Sequence, residues 1–253
     1  MSGAGPAGDT FSLAGRRILI TGASSGLGRA AAQELARAGA VLQLSGRDAG
    51  RLEEAAASLE GSGHTSHRAA LPEDAEALAG ACGELDGVLH AAGVDLIVPA
   101  AFAGADKLAQ VQRINYEAPL LLMQALLRSK SLRDGASVVF VTSIAGRTGT
   151  AGYALYAGSK GGLAAAARAL AVELAGRRIR VNCLAPGFVE TPMTQATPLS
   201  VADKERYLAR YPLGPGAPED VAQAARYLLA PASRWVTGTE LVIDGGASIR
   251  HGL

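Results

Sequence analysis

Tyr156 and Lys160 stand four residues apart at the head of an Ala-rich run, and Ser143 lies thirteen residues before the tyrosine. Four residues is about one helical turn, so phenol and ammonium share a face and approach each other. The apolar run at 137–141 reads as a buried strand that delivers Ser143 at its carboxyl end. A hydroxyl facing a phenol paired with a lysine is an arrangement for passing a proton to or from a carbonyl oxygen. Tyrosine titrates near pH ~10 in water and a neighbouring cation favours its ionised form, so such a phenol exchanges a proton near neutral pH. Taken alone, Y-x-x-x-K is more often an interface tyrosine beside a solvated lysine.

A second constellation accompanies it. The segment T-G-A-S-S-G-L-G at 21–28 joins an expected strand at 16–21 to an expected helix reaching Ala38. Glycine permits tight turning and close approach, and a helix amino end offers unpaired N–H groups to a pyrophosphate. Gly22, Gly26 and Gly28 follow G-x-x-x-G-x-G rather than the commoner G-x-G-x-x-G, a spacing that by itself also serves a plain strand-to-helix turn.

The elements that must position these residues alternate along the chain. Strands are expected at 41–44, weakly at 64–70, at 88–93, 179–184 and 241–243. Helices are expected at 48–59, in a short piece within 72–82, unbroken over 106–127, from about 152 to 175, and at 219–229. That order predicts one doubly wound parallel α/β domain over 11–253, with a loose tail at 1–10 and a loop-rich insertion at about 191–218. Such sheets bind ligands at the carboxyl ends of their strands, where every residue singled out above falls.

A formal charge of +1 leaves no basic footprint for nucleic acid, and no apolar run approaches the roughly 18 residues of a membrane span. Residues 1–10 lack the apolar core of a signal peptide. Cys82 and Cys183 have neither metal-ligand spacing nor disulfide density, which fits a reducing cytoplasm and no metal.

From about Leu13 to Ile249 the sequence resembles the short-chain dehydrogenase/reductase family, and within it the 3-oxoacyl-[acyl-carrier-protein] reductases and their relatives. The resemblance rests on the glycine turn, on Ser143 and Y-x-x-S-K at 156–160, and on Asn115 in R-I-N-Y-E-A-P. It rests also on P-G-F-V-E-T at 186–191 and on W-V-T-G-T-E-L-V-I-D-G-G at 235–246. It implies a Rossmann-like fold and hydride transfer between nicotinamide and a carbonyl or secondary alcohol, first of all a 3-oxoacyl thioester. Another ketone, a sugar or a steroid-like alcohol is the next candidate, and a non-catalytic nucleotide-binding member the last. Ser143 would bind the substrate oxygen and Tyr156 would protonate it. Lys160 would hold the nicotinamide ribose, and Asn115 would position a water beyond it, unless that asparagine merely bends its helix. Gly22, Ser24, Ser25, Gly26, Leu27 and Gly28 would cradle phosphate, Ala92 and Gly93 would let the cofactor approach, and Pro186, Gly187, Val189 and Thr191 would meet its carboxamide end. Copies of the long helices would pack together in a homotetramer.

The sequence departs from the family's pattern at the adenosine end. His90-Ala91-Ala92-Gly93 stands where N-N-A-G is usual, and no acidic residue follows the third strand, where Ala70-Leu71 falls. His90 is expected to be a partly buried, hydrogen-bonded histidine. At the end of the second strand, Gly46 and Arg47 take the place of the acidic residue that selects NAD, which predicts NADP(H) over NAD(H). Lys204, Arg206 and Arg210, interleaved with Asp203 and Glu205, read as a solvated helix face or as a greeting for the phosphopantetheine of a carrier- or CoA-linked substrate.

Overall fold

In β1 (Arg17–Thr21) successive side chains alternate across the strand, so Ile18 and Ile20 enter one core while Leu19 enters another. Both cores are apolar because helices cover both faces, as a parallel sheet requires. A computed structural model describes residues 9–195 and 201–249.

Seven parallel strands lie in the order β3-β2-β1-β4-β5-β6-β7. They are β1, β2 (Val41–Gly46), β3 (Thr65–Arg68), β4 (Leu85–His90), β5 (Leu132–Val141), β6 (Arg180–Pro186) and β7 (Glu240–Ile243). Against one face pack α1 (Gly26–Arg37), α2 (Ala49–Ala57) and α9 (Pro218–Leu229) through Leu35, Leu52, Val221 and Leu228. Against the other pack α3 (Ala75–Cys82), α5 (Ala118–Arg128) and α6 (Ala154–Glu173) through Leu78, Leu122, Leu126 and Leu163. Strand order reverses between β1 and β4, which opens the crevice where ligands bind in such sheets. Register aligns Thr21 with Ser45 and with His90, and His90 with Phe140, so the carboxyl ends form one rim.

Two expectations are corrected here. The helix expected unbroken at 106–127 is α4 (Ala105–Gln112), a π turn (Arg113–Glu117) and α5. The tail expected at 1–10 has ended by Asp9. Ala232 N donates to Thr10 O at 2.9 Å, and Asp9 lies 3.5 Å from the Arg226 guanidinium. Residues 1–8 lie outside the described residues. In the insertion, α7 (Pro192–Gln195) and α8 (Val201–Leu208) supply the short helix expected.

Candidate active site

Lys160 sits in the second turn of α6, buried, and its Nζ donates to Val141 O at the end of β5 over 2.8 Å. The same nitrogen lies 5.8 Å from the Tyr156 ring centroid. Burial pushes the ammonium down from its usual 10.5 to about 8. The tyrosine does not follow the sequence expectation of a lowered pKa. Loss of solvent pushes its phenol up to about 12, although the Ser143 hydroxyl pulls it back and the Asp95 and Tyr207 charges push further. The physical reason is burial, with no cation to offset it, since the lysine's ammonium is bonded to a backbone carbonyl rather than to the phenolic oxygen.

Ser143 follows β5 in extended backbone and opens a 3₁₀ turn, its Oγ accepting from Ala145 N at 3.2 Å. The turn rests on α6 with no room to spare. A Cβ added to Gly146 would lie 2.8 Å from Gly161 N, one residue beyond Lys160. Two glycines therefore seat the serine's turn against the helix that carries tyrosine and lysine.

Asn115 is buried in the centre of the π turn, where an extra residue per turn redirects a side chain, as such bulges do at functional sites. Its amide brackets the exit of β4: Nδ2 donates to Val94 O at 2.8 Å, and Oδ1 accepts from Val94 N at 2.9 Å. Nδ2 also donates to Ser159 Oγ at 3.1 Å. A Cβ on Gly93 would meet Asn115 Oδ1 at 3.2 Å and Lys160 Nζ at 3.4 Å, so amide and ammonium converge on one glycine.

Beside this cluster a cleft of about 240 Å³ follows the rim of β1, β2 and β4. Gly22, Ser24, Ser25, Gly26, Leu27 and Gly28 line it, with Arg47, Ala92, Gly93 and Thr191. Gly22 and Gly26 have φ of 68° and 51°, a region that glycine adopts without strain. The first turn of α1 holds no acidic residue, and Ser25 at its cap makes no side-chain bond to it. The helix's first N–H groups and two serine hydroxyls thus face a cleft that fits an anionic dinucleotide. Arg47 stands at the end of β2 beside Arg68, whose Nε donates to Arg47 O at 3.3 Å, a second cation the sequence did not single out. Pro186, Gly187 and Val189 lie outside the cleft lining. At Gly187 a Cβ would come within 2.7 Å of the Tyr211 ring, so this glycine serves packing beneath the loop.

His90 departs from expectation. It is fully buried and stacked on Phe140 with ring centroids 4.7 Å apart, and neither ring nitrogen has a partner among the described residues. Burial pushes its pKa down to about 3, so it stays neutral across the physiological range. Parallel registration with Phe140 places the ring in the apolar core, where the sequence suggested a polar exit.

Ser143 faces a second, smaller pocket of about 50 Å³ with Thr148, Tyr153, Tyr207, Arg210 and Ser248. These side chains converge from three separate stretches, which is why spacing alone did not reveal them. The side chain of Lys204 lies outside the described residues. Among the described residues there is no cluster of three or more metal-ligating side chains, and no helix is long and apolar enough to cross a membrane.

A family model described as enoyl-(acyl carrier protein) reductase matches residues 22–248. The chain belongs to the short-chain dehydrogenase/reductase family of oxidoreductases and is similar to 3-oxoacyl-[acyl-carrier-protein] reductases. It is 38% identical to an uncharacterized oxidoreductase of Mycobacterium tuberculosis, over 93% of this chain and 92% of that one. It is 34% identical to a 3-oxoacyl-[acyl-carrier-protein] reductase of Thermotoga maritima, over 94% and 99%. Among solved structures, a provisional NAD(P)-dependent gluconate 5-dehydrogenase from Beutenbergia cavernae with bound NADP superposes with TM-score 0.87. Its identity is 33%, covering 95% of this chain and all of that one.

The buried lysine carries a stability cost whose pH dependence has a definite sign. Between pH 8 and 10.5 the unfolded chain holds a proton on Lys160 that the folded chain has released, so stability rises with pH through that window. Below pH 8 both states are protonated and the full cost of the buried ammonium stands. Lys160→Met is therefore expected to stabilise the cofactor-free protein by about 1–3 kcal/mol at neutral pH, net of the lost hydrogen bond. The gain should fade as pH approaches 10.5. Urea unfolding of both proteins at pH 7 and pH 10 measures it, and a difference that does not change with pH overturns the argument.

Proposed function

We propose that the protein is an NADP(H)-dependent carbonyl reductase or secondary-alcohol dehydrogenase. The observation that carries this reading is the convergence of Ser143, Tyr156 and Lys160 beside an anion-ready cleft, with Asn115 and Lys160 meeting at Gly93. The nicotinamide would supply or accept the hydride. Ser143 would hold the carbonyl oxygen, and Tyr156 would give that oxygen its proton. Lys160 would turn toward the cofactor's ribose and, with a cation nearer the phenol, bring the tyrosine down from its high starting point. Asn115, braced at both amide atoms, would fix the path from Lys160 toward solvent. Ser24, Ser25 and the α1 amino end would hold phosphate, and Val189 and Thr191 the carboxamide end.

The 3-oxoacyl-[acyl-carrier-protein] reductases among the relatives make a 3-oxoacyl thioester, on a carrier protein or CoA, the first substrate class. The hydroxyl-rich pocket at Ser143 favours a second: a compact polar ketone or sugar acid, a class represented by the gluconate dehydrogenases among the structural neighbours. The unpaired, buried Cys82 and Cys183 fit a reducing cytoplasm.

Tyr156→Phe is expected to lower kcat by at least ~10²–10⁴-fold while cofactor affinity holds, because only the proton donor is lost. Steady-state NADPH oxidation with a fluorescence titration of the cofactor tests it, and retention of more than half the activity would sink the mechanism. Arg47→Ala should weaken NADPH binding by roughly 10- to 150-fold and spare NADH, the worth of hydrogen bonds to a charged phosphate. Equal use of both cofactors by the wild type, or an unchanged ratio in the variant, contradicts the preference. Exposed apolar side chains on the helices, Leu108, Leu121 and Val172, together with Trp235 suit a homotetramer. Light scattering should report four chains at micromolar concentration; a stable monomer would contradict it.

A further inference from the structure

The pocket at Ser143 has a chemistry of its own. The serine and Arg210, just past α8, both line it. The guanidinium carbon of Arg210 stands over the Tyr207 ring, 5.7 Å from the ring centroid. Tyr207 is fixed in turn: its hydroxyl lies 3.2 Å from that of Tyr211, which accepts from Phe188 N at 2.9 Å, and its ring meets Phe188 edge-on at 5.7 Å. The cation is thus pre-positioned, which lowers the entropy lost when it binds an anion.

Carboxylates nearby are otherwise engaged. Glu240 pairs with Arg147 at 3.6 Å, and Asp244 accepts from Gly246 N and Ser248 N at 3.0 and 2.7 Å. Arg210 itself has no carboxylate partner among the described residues. Asp95, partly buried, acts by its charge on the phenols of both Tyr153 and Tyr156 and lies outside the pocket's lining. A negative group on a substrate is therefore repelled from the Asp95 side and drawn to the Arg210 side.

We infer that this pocket is a carboxylate subsite, and that the substrate is an oxo acid or hydroxy acid whose carboxylate lies within a few carbons of the reacting carbonyl. Arg210 takes the carboxylate in paired, charge-assisted hydrogen bonds, and the hydroxyls of Thr148, Tyr153 and Ser248 suit the polar groups between. Ser143 and Arg210 line the same small pocket, so a carbonyl held at the serine and a carboxylate held at the arginine lie within a few carbons of each other. The inference rests on the oxidoreductase reading of the same site and narrows its substrate.

The test uses the NADPH-loaded protein and a panel of 2-oxo and 3-oxo acids of four to six carbons, each paired with its uncharged methyl ester. The acids should be reduced with higher kcat/KM than their esters. Arg210→Met should cut that acid-to-ester ratio roughly 10- to 100-fold, mainly through KM, and Arg210→Lys should restore part of it. Calorimetry of the matching hydroxy acids on the NADP⁺-loaded protein should show binding that weakens in Arg210→Met. Esters preferred throughout, a ratio unmoved by Arg210→Met, or no acid binding at millimolar concentration overturns the subsite. If NADPH is oxidised neither with these carbonyls nor with a 3-oxoacyl thioester, the oxidoreductase reading fails instead, and the binding measurement still decides the subsite.

Discussion

The bond from Lys160 Nζ to Val141 O is the constraint on which the site's arrangement depends. It places an ammonium inside the fold, at a cost that burial imposes and only a well-placed acceptor offsets. Because the acceptor belongs to the last residue of β5, the bond ties α6 to the sheet's rim at one point. The Gly146–Gly161 contact ties it at a second, so helix and strand exit cannot slide independently. Tyr156 and Ser143 hang from the two elements so joined. A less expensive residue at position 160 would leave the helix packed through Leu163 and Ala167 but would lose the bond that ties α6 to the end of β5.

Asn115 applies the same logic one layer further out. A regular helix over 105–128 would carry each side chain about 100° around the axis from the last. The π turn breaks that phase and lets the segment before it and the segment after it present different faces. The amide then takes both polar groups of Val94, which would otherwise be left unpaired at the mouth of the crevice. The asparagine therefore braces the backbone and stands beside the lysine at once. The bend that the sequence offered as one reading of Asn115 is a π turn, and the same side chain fixes the exit of β4.

The fold was legible because both signals that report it are local. Apolar runs marked every strand but β3, whose Thr-Ser-His-Arg stretch is polar and gave only a weak signal, and the spacing at 21–28 and 143–160 marked the rim residues. What stayed hidden depends on contacts between distant segments. Asn115 could be chosen but not its π turn, since the excess residue has no composition of its own. Arg68 escaped notice because only the β2–β3 register puts it beside Arg47. His90 was misjudged because its type suggested a hydrogen-bonded role, whereas its place opposite Phe140 on a central strand dictates burial. Lys160 was rightly placed by its turn of helix. The pKa of its neighbour was not, because desolvation outweighs a cation aimed elsewhere.

The two cavities differ in what builds them. The larger is walled mainly by glycine, alanine and serine at the strand ends, so its shape follows from backbone geometry and strand order. The smaller is walled by side chains from the 143–153 segment, from α8 and its exit, and from the last described turn. Ser143 opens on the second, while Gly93, against which Lys160 lies, opens on the first, so the cluster of serine and lysine forms the partition between them. Changes to α8 or its exit can alter charge and volume on the substrate side without moving a strand. The partition keeps its position because it is fixed from the sheet, through Val141 and Val94. The two cavities thereby rest on elements with different tolerances for substitution, the larger bound to the core and the smaller to a surface insertion.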